Sequence, residues 1–295
     1  MRIFVTGATG FIGTALVPKL IKAGHSVVGL ARSETAIAAL RAVGADAQPG
    51  NVEDLESLRK GADNSDGVIH LAFNYVSGFQ KASEEDRKAI EAIGEALVGS
   101  NRPFVISSVI AAATSVNGQP ITEDSPLAQW NPRTPTEIVV KELAESGVNT
   151  SLVRMGVVHD THKQAFVSFA VQIARQKGKA AYIGDGSVWW SAVHVSDVAL
   201  LYRLAFDKAE AGSIYHGVDE QGVSMKEIAE AVGRGLKVPV ASITPDEAEA
   251  HFGWLAFFMG LNLSASSAVT RKKLNWKPTG PGLIADLDAM DYAQV

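Results

Sequence analysis

The sequence contains no cysteine, which excludes disulfide bonds, thiolate zinc sites, iron–sulfur clusters and cysteine nucleophiles together. Aromatic residues make up 7% and charged residues 20% of the 295-residue chain. There is no excess of positive charge, because 27 Lys and Arg residues stand against 32 Asp and Glu residues, which gives a net charge of −5. A generally basic, nucleic-acid-binding surface is therefore not expected.

Long hydrophobic runs are also missing. The most apolar stretch, residues 254–263, is ten residues long, about half of the roughly 20 residues that cross a bilayer. Met1 and Arg2 lead directly into a short apolar run, without the features of a signal peptide. These features predict a cytoplasmic protein with no membrane partner.

Strand and helix patterns alternate through the first half of the chain. Apolar and β-branched runs predict strands at residues 2–6, 26–30, 46–48, 67–72, 103–108 and 150–154. Apolar residues at helical spacing predict helices at 11–23, 34–43, 52–60, 83–99 and 136–146. This alternation is typical of βαβ units, so the fold class is α/β, with a doubly wound parallel sheet of the Rossmann type.

The second half is less regular and predicts a smaller, mostly helical C-terminal lobe. We interpret residues 1–155 as a dinucleotide-binding domain, with residues 192–217 returning to its sheet. Residues 156–191 and 218–295 then form a substrate-binding lobe. Ser224 followed by Glu227 is a capping-box pattern, which predicts a helix in that lobe.

Glycines follow the first predicted strand at positions typical of a dinucleotide site. Gly7, Gly10 and Gly13 stand between that strand and the helix that follows. This arrangement lets the backbone approach a pyrophosphate, and the helix N-terminus supplies unpaired N–H groups and partial positive charge. The alternative is a glycine turn that binds no ligand, but the strand–turn–helix context favours a dinucleotide.

The residues after the second strand indicate which nucleotide is bound. Sites for NAD usually have an acidic residue there, whereas this chain has Arg32 and Ser33. A guanidinium group is a permanently charged donor that suits a phosphate. NADPH is therefore the expected cofactor, and the alternative is that Arg32 is an ordinary solvated surface residue.

Several motifs together resemble the short-chain dehydrogenase/reductase superfamily, in its extended or atypical, epimerase/dehydratase-like branch. They are VTGATGFIG at 5–13, GNV at 50–52, VIHLA at 68–72, the pair Ser107 and Ser108, Lys141, VHVSDVA at 193–199 and KLNWKP at 273–278. The resemblance covers nearly the whole chain. It implies that NAD(P)(H) binds across the carboxyl ends of the strands, with a small-molecule substrate between the sheet and the C-terminal lobe.

The resemblance also implies which residues contact the cofactor. They are Gly7, Thr9, Gly10, Phe11, Ile12, Gly13, Arg32, Ser33, Asn51, Val52, Leu71, Ala72, Phe73, Lys141 and Val157.

Catalysis is where the sequence departs from the family pattern. The family uses a Tyr that transfers a proton, a Lys four positions later and a Ser that hydrogen-bonds the carbonyl oxygen. Lys141 matches the Lys, but Glu137 stands where the Tyr is expected. Ser108 is the candidate for carbonyl binding, although the sequence does not separate it from Ser107.

Three sources can replace the proton of the missing Tyr. Tyr75 follows the strand that contains VIHLA, and His159 stands in a segment that normally carries a Tyr. Water is the third source. We favour Tyr75 over His159 as the donor, which gives Ser108, Lys141 and Tyr75 as the candidate catalytic residues.

Substrate and metal are less well specified. Aromatic residues of the second half can wall an apolar pocket or form ordinary core: Phe166, Phe169, Trp189, Trp190, Phe257 and Phe258. His194 is interpreted as structural, and no His, Asp and Glu spacing indicates a metal site. Lys179 is the one basic residue from 178 to 200, which disfavours a nucleotide-diphosphate sugar.

The leading hypothesis is an NADPH-dependent oxidoreductase that reduces an aldehyde, a ketone or a similarly polarised small molecule by hydride transfer. The alternative is a non-enzymatic, NADP(H)-responsive binding protein, and a nucleotide-sugar epimerase or dehydratase comes third. A homodimer is expected through the predicted helices at 83–99 and 136–146, where Ile90, Ile93 and Leu97 form an apolar stripe. That stripe can equally face its own sheet.

Overall fold

The computed structural model describes residues 1–74 and 78–293. Its strands are β1 (Arg2–Thr6), β2 (Ser26–Ala31), β3 (Asp46–Pro49), β4 (Gly67–His70), β5 (Phe104–Val109), β6 (Thr150–Met155), β7 (Val157–His159), β8 (Ala180–Ile183), β9 (Trp189–His194), β10 (Ser213–Gly217), β11 (Glu220–Ser224) and β12 (Val240–Ile243).

The α-helices over the same residues are α1 (Phe11–Lys22), α2 (Glu34–Ala42), α3 (Leu55–Asp63), α4 (Phe79–Leu97), α5 (Thr134–Glu145), α6 (Phe166–Lys177), α7 (Val195–Lys208), α8 (Met225–Leu236), α9 (Pro245–Phe252), α10 (Ala256–Met259), α11 (Ala268–Leu274) and α12 (Leu283–Ala289). Short 3-10 helices occupy Ile110–Ala112 and Gly253–Leu255.

The central element is a seven-stranded sheet in the order β10-β6-β5-β4-β1-β2-β3, and all of its pairings are parallel. One apolar core packs α1 and α7 against one face of the sheet, and another packs α3, α4 and α5 against the other. The predicted doubly wound α/β fold is confirmed. The chain first adds β2 and β3 on one side of β1. It then adds β4, β5, β6 and β10 on the other side, so the direction of growth reverses between β1 and β4. In such sheets a ligand crevice lies at the carboxyl ends of the strands where this direction reverses.

Local chemistry explains where helix ends differ from the sequence prediction. The helix expected from residue 52 begins at Leu55, because the Asp54 carboxylate accepts a hydrogen bond from the Ser57 N–H at 3.1 Å and caps it. The helix expected from residue 136 begins two residues earlier, with Pro135 in its first turn, where proline needs no N–H partner.

The C-terminal lobe combines helices with two small sheets. Strands β7, β9 and β11 form one sheet, and β8 pairs with β12 in the other. Within the segment 192–217, β10 joins the seven-stranded sheet, whereas the end of β9 pairs with β7 and β11. A separate apolar core contains residues of α6, α8, α9 and α12, so the lobe has its own packed interior.

Candidate functional site

The glycine-rich loop lies at the carboxyl end of β1, beside the switch point of the sheet. Gly7 has a positive φ of 67°, and a Cβ atom there would lie 2.8 Å from the backbone N of Ala72. A Cβ on Gly13 would lie 2.2 Å from the carbonyl oxygen of Gly7. Side chains at these positions would therefore push helix α1 and the strand ends apart, and glycine is required for the close approach.

The N-terminus of α1 has the features of an anion site. Gly10 is the N-cap residue and provides no side-chain cap, so the first N–H groups of the helix keep their hydrogen-bonding capacity. Thr9 and Gly10 are exposed, while Phe11 and Ile12 are half-buried. This open cradle fits the pyrophosphate of a dinucleotide, because the helix dipole and the free N–H groups favour negative charge there.

A lysine distant in sequence also lies at this cradle. The ammonium of Lys163 is 6.0 Å from the centroid of the Phe11 ring. Lys163 sits in a tight turn closed by the Asp160 carboxylate, which accepts from the N–H groups of His162 and Lys163. No pattern in the sequence points to Lys163, because a lysine in a polar turn is common and its contact with Phe11 depends on the folded chain.

The adenosine end of the expected site is a cavity of about 200 Å³. Its lining includes Arg32, Ser33 and Asn51. Arg32 is exposed, and within the described part of the chain no carboxylate oxygen lies within 4.0 Å of its guanidinium. The Ser33 hydroxyl caps α2 by accepting from the Ala36 N–H at 3.2 Å. A positive group beside an open cavity suits the 2′-phosphate of NADP(H).

Asn51 lines this cavity, and Val52 follows it in the chain. The Asn51 side-chain oxygen accepts from the N–H groups of Glu53 and Asp54 at 2.8 and 3.0 Å, which fixes the turn before α3. Val52 is half-buried.

The segment after β4 follows the reversal point of the sheet. Leu71, Ala72 and Phe73 are half-buried, and the Ala72 N–H donates to the Thr6 hydroxyl at 3.3 Å. Val157 lies in β7, is 8% exposed and packs in the core of the C-terminal lobe. The structure thus brings Gly7 and Ala72 together, while Val157 contributes to the lobe's interior.

Ser108 lies in a buried ionic cluster. Its hydroxyl donates to Glu137 Oε1 at 2.5 Å, and its side chain is fully buried. Arg154 holds the same carboxylate through Nε at 3.1 Å and through a terminal nitrogen at 2.7 Å. Glu137 therefore accepts hydrogen bonds from both Arg154 and Ser108, and the Ser108 hydroxyl proton is used in one of these bonds.

The Ser107 hydroxyl forms hydrogen bonds with other groups of the protein. Its hydroxyl donates to the carbonyl oxygen of His70 at 2.7 Å and accepts from the Tyr202 hydroxyl at 2.8 Å. In this arrangement neither serine presents a free hydroxyl proton to a substrate.

Lys141 does not join these groups. Its side chain is 79% exposed, and its ammonium lies 3.8 Å from Glu145 on the outer surface of α5. The structure does not bring Lys141 to Ser108 or to the glycine-rich loop, because the face of α5 that is buried there contains Glu137 instead. Lys141 therefore lies apart from the other candidate site residues.

A second buried network was missed by the sequence reasoning. The carboxylate of Asp86 accepts from His70 Nε2 at 3.2 Å and pairs with Arg133 at 3.0 Å. Burial raises the pKa of Asp86, but Arg133 and His70 outweigh this effect and hold the pKa below its ordinary value. His70 Nδ1 is hydrogen-bonded to the Thr6 hydroxyl at 2.7 Å, so the network reaches from α5 to the end of β1.

Arg133 connects this network to the cleft. Its guanidinium lies 4.6 Å from the centroid of the Phe73 ring and also donates to the Ser107 carbonyl oxygen. Arg133 is the N-cap residue of α5 and stands four positions before Glu137, and both side chains are buried. The signal that could have found them is this spacing, since two charged residues on the buried side of a helix require partners.

The two other proton-donor candidates are Tyr75 and His159, and the structure describes the second of them. Tyr75 lies outside the described residues. His159 is buried, its Nδ1 bonds Asp286 of α12 at 2.6 Å, and burial lowers its pKa even though Asp286 opposes this. His194 accepts from the Ser196 N–H at 3.2 Å and caps α7.

Residues 1–74 and 78–293 contain no group of three or more His, Cys, Asp or Glu side chains that could hold a metal ion. No helix in this part of the chain is both long and apolar enough to cross a membrane.

Comparison with known proteins gives consistent matches. The model of the NAD dependent epimerase/dehydratase family matches residues 3–217. An uncharacterized protein of Schizosaccharomyces pombe is 46% identical over 295 residues, which cover 99% of this chain and 100% of the relative. The 4-hydroxy-2-methyl-3-oxo-4-farnesyl-3,4-dihydroquinoline-1-oxide ketoreductase of Stigmatella aurantiaca is 26% identical over 86% of this chain and 80% of its own.

Among solved structures, the chain is similar to DesIV, a dTDP-glucose 4,6-dehydratase from Streptomyces venezuelae crystallised with NAD and TYD bound. The TM-score is 0.77 with 20% identity, and the match covers 98% of this chain and 96% of that one. At this identity the likeness concerns the fold.

Proposed function

Because the chain belongs to the NAD-dependent epimerase/dehydratase family, we propose that it is an NADPH-dependent reductase of a carbonyl group in a small molecule. The observation that carries the proposal is the open cradle of Gly7, Gly10 and Gly13 at the N-terminus of α1. The ketoreductase relative supports carbonyl reduction as the reaction class.

The cofactor, when bound, supplies a hydride from C4 of its nicotinamide ring to the carbonyl carbon. The free N–H groups at the start of α1 and the Lys163 ammonium would hold its pyrophosphate, and Arg32 would hold its 2′-phosphate. Ser107, Ser108 and Glu137 hold their groups in protein hydrogen bonds, so they are not the source of the proton that the carbonyl oxygen takes. Tyr75 stays the predicted donor, with water as the alternative.

Cofactor preference tests the role of Arg32. We expect NADPH to bind more tightly than NADH, and Arg32→Ala to remove about 1.5–3 kcal/mol of that preference, the scale of a charge-assisted hydrogen bond. Dissociation constants from titration calorimetry measure this for both cofactors. Arg41→Ala, an exposed arginine in the last turn of α2, is the matched control and should keep the wild-type ratio. An unchanged NADPH/NADH ratio in Arg32→Ala would rule out the assignment.

A second candidate function is a cofactor-responsive binding protein. One observation favours it: Ser108 and Glu137, which stand at two of the family's usual catalytic positions, are hydrogen-bonded within the buried Ser108–Glu137–Arg154 cluster. NADPH oxidation with a panel of aldehydes and ketones separates the two functions. Turnover supports the reductase, whereas tight NADPH binding without turnover, together with partner capture that differs between NADPH and NADP⁺, supports the binding protein.

A further inference from the structure

A continuous set of aromatic rings joins the sheet domain to the C-terminal lobe. We call it the aromatic wall, and it consists of Phe73, Phe79, Phe166, Trp254, Phe257 and Phe258. Phe73 follows β4, beside the reversal point where the nicotinamide half of the cofactor is expected to lie. Phe79 opens α4, and the other four rings come from the lobe.

Ring contacts connect these residues without a break. The centroids of Phe73 and Phe79 are 5.8 Å apart, and Phe79 meets Phe258 at 6.2 Å. Phe258 stacks on Phe166 at 5.1 Å with an interplanar angle of 25°. Phe166 then contacts Trp254 at 6.2 Å. The wall therefore runs from the carboxyl edge of the sheet to the surface of the lobe.

Part of the wall is strongly exposed. Trp254 is 59% and Phe257 is 56% exposed, and both contact the half-buried Phe258. Aromatic side chains of this size would normally bury their faces, so neighbouring exposed rings indicate a surface that binds an apolar or aromatic ligand. The continuity of the wall with Phe73 places that ligand beside the proposed nicotinamide position.

The hydrogen bonds at the site favour a substrate whose reduced form is a weak base. Among the described residues of the buried clusters, the Ser107, Ser108 and Glu137 side chains are bonded to protein groups. Reduction of an aliphatic ketone creates an alkoxide, which is a base as strong as hydroxide and needs a proton donor. Reduction of a quinone creates a phenolate-type anion, whose conjugate acid has a pKa near 10 like tyrosine. Water can protonate this weaker base.

Resting on the proposed reductase function, we infer that the substrate is a quinone, bound face-on against the aromatic wall. Hydride from NADPH adds to the quinone, two electrons are transferred, and the resulting hydroquinone anion takes one proton from water. The products are hydroquinone and NADP⁺. The Arg133 guanidinium, which is paired with Asp86, lies against the Phe73 ring and fixes its orientation at this end of the wall.

The test compares two substrates with the same number of carbon atoms, menadione and undecanone, using full-length protein and NADPH without oxygen. We expect kcat/KM for menadione to exceed that for undecanone by at least about 10-fold. Turnover of undecanone but not of menadione would overturn the quinone assignment and leave the reductase function standing.

Two tryptophan variants test the wall itself. Trp254→Leu should raise KM for menadione by about 2- to 10-fold at constant kcat, the fold-change that corresponds to one aromatic pair. It should also weaken the quenching of tryptophan fluorescence by menadione, a readout that needs no turnover. Trp189→Leu is the matched control, since Trp189 is 40% exposed but points to the opposite face of β9 from Trp190, which contacts Phe166.

Three results would overturn the inference. One is equal KM values for menadione in wild type and Trp254→Leu. Another is NADPH binding without turnover of menadione. The third is a change of oligomeric mass in Trp254→Leu, which would identify the wall as a contact between protein chains. Failure of NADPH to bind at all would instead defeat the proposed function.

Discussion

Glu137, which stands where the family pattern has a tyrosine, is part of a buried ionic cluster. The carboxylate of Glu137 is held by Arg154 and Ser108 in the interior, so its charge is fully compensated by protein partners. A buried ion pair contributes little net stability compared with an apolar pair, but removing one partner leaves the other charge buried and unpaired. Glu137 therefore acts as a structural anchor between α5, β5 and β6.

The variant Glu137→Gln tests this role. It keeps the shape but removes the charge opposite Arg154, and we expect the free energy of unfolding to fall by about 3–5 kcal/mol. Urea denaturation of the purified protein measures the loss. The paired control is Lys141→Ala on the same helix, whose exposed ion pair with Glu145 should contribute less than about 1 kcal/mol. A stable Glu137→Gln protein would contradict the anchor role.

His159 makes stability depend on pH. Burial lowers its pKa despite the hydrogen bond to Asp286, so the unfolded chain binds a proton more readily than the folded chain. The free energy of unfolding should be retained above about pH 6.5 and fall below it, by at most about 1.4 kcal/mol per pH unit for each such histidine. Burial also lowers the pKa of His216, which adds in the same direction.

Unfolding free energies measured between pH 7.5 and 5.5 check this dependence. His159→Gln should reduce the slope without abolishing it, because His216 remains. The exposed His162→Gln provides the comparison and should keep the wild-type slope. A wild-type protein that becomes more stable on acidification would show that the sign is wrong.

At the scale of elements, the contact between β1 and α1 decides whether the cradle exists. Gly13 lets the first turn of the helix approach the Gly7 carbonyl, where an added Cβ would lie at 2.2 Å. Gly10 is less crowded, with a nearest distance of 3.1 Å to the same oxygen, and it is exposed. The two glycines thus serve different purposes, one for packing and one for access of the ligand.

Alanine at each position separates these purposes. Gly13→Ala should destabilise the protein by about 1–3 kcal/mol or more, because backbone atoms must move to admit the methyl group. Gly10→Ala should change the unfolding midpoint much less, yet weaken NADPH binding by occupying the space that the pyrophosphate approaches. Thermal unfolding and calorimetric titration of both variants give the two quantities. Similar stability losses in both would contradict the distinction.

At the scale of the whole molecule, the C-terminal segment ties the lobe to the sheet domain. Trp276 is 1% exposed, packs in the core beneath α1 and α7, and donates its indole N–H to the Asp197 carbonyl oxygen at 3.0 Å. The Asp197 carboxylate accepts from the N–H groups of Thr279 and Gly280. The segment therefore belongs to the packing of the first domain before the chain returns to the lobe.

Association between copies of the chain stays a prediction. Ile90, Ile93 and Leu97 are fully buried in their own domain, so a dimer would use the outward surfaces of α4 and α5. Ile138, 42% exposed, is the large apolar side chain available on α5. We expect a dimer mass by light scattering at micromolar concentration, and Ile138→Lys should shift it toward monomer, while Val43→Lys on the opposite part of the surface should not. A monomeric wild-type protein would refute the dimer.

The sequence by itself determined the alternating strands and helices, because the spacing of apolar residues along the chain distinguishes a strand from a helix. It also determined the glycine-rich cradle and Arg32, since both are local to a strand end and to the helix that follows.

Only the tertiary structure decided the interior of the site. Ser108 meets Glu137 and Arg154 across three elements, and Lys163 meets Phe11 from the far half of the chain. Sequence spacing placed Lys141 and Glu137 on one helix, but it did not show which of them would be buried. That choice depends on partners for the buried charge, and in this fold Arg154 and Ser108 provide them for Glu137, whereas Lys141 extends into solvent.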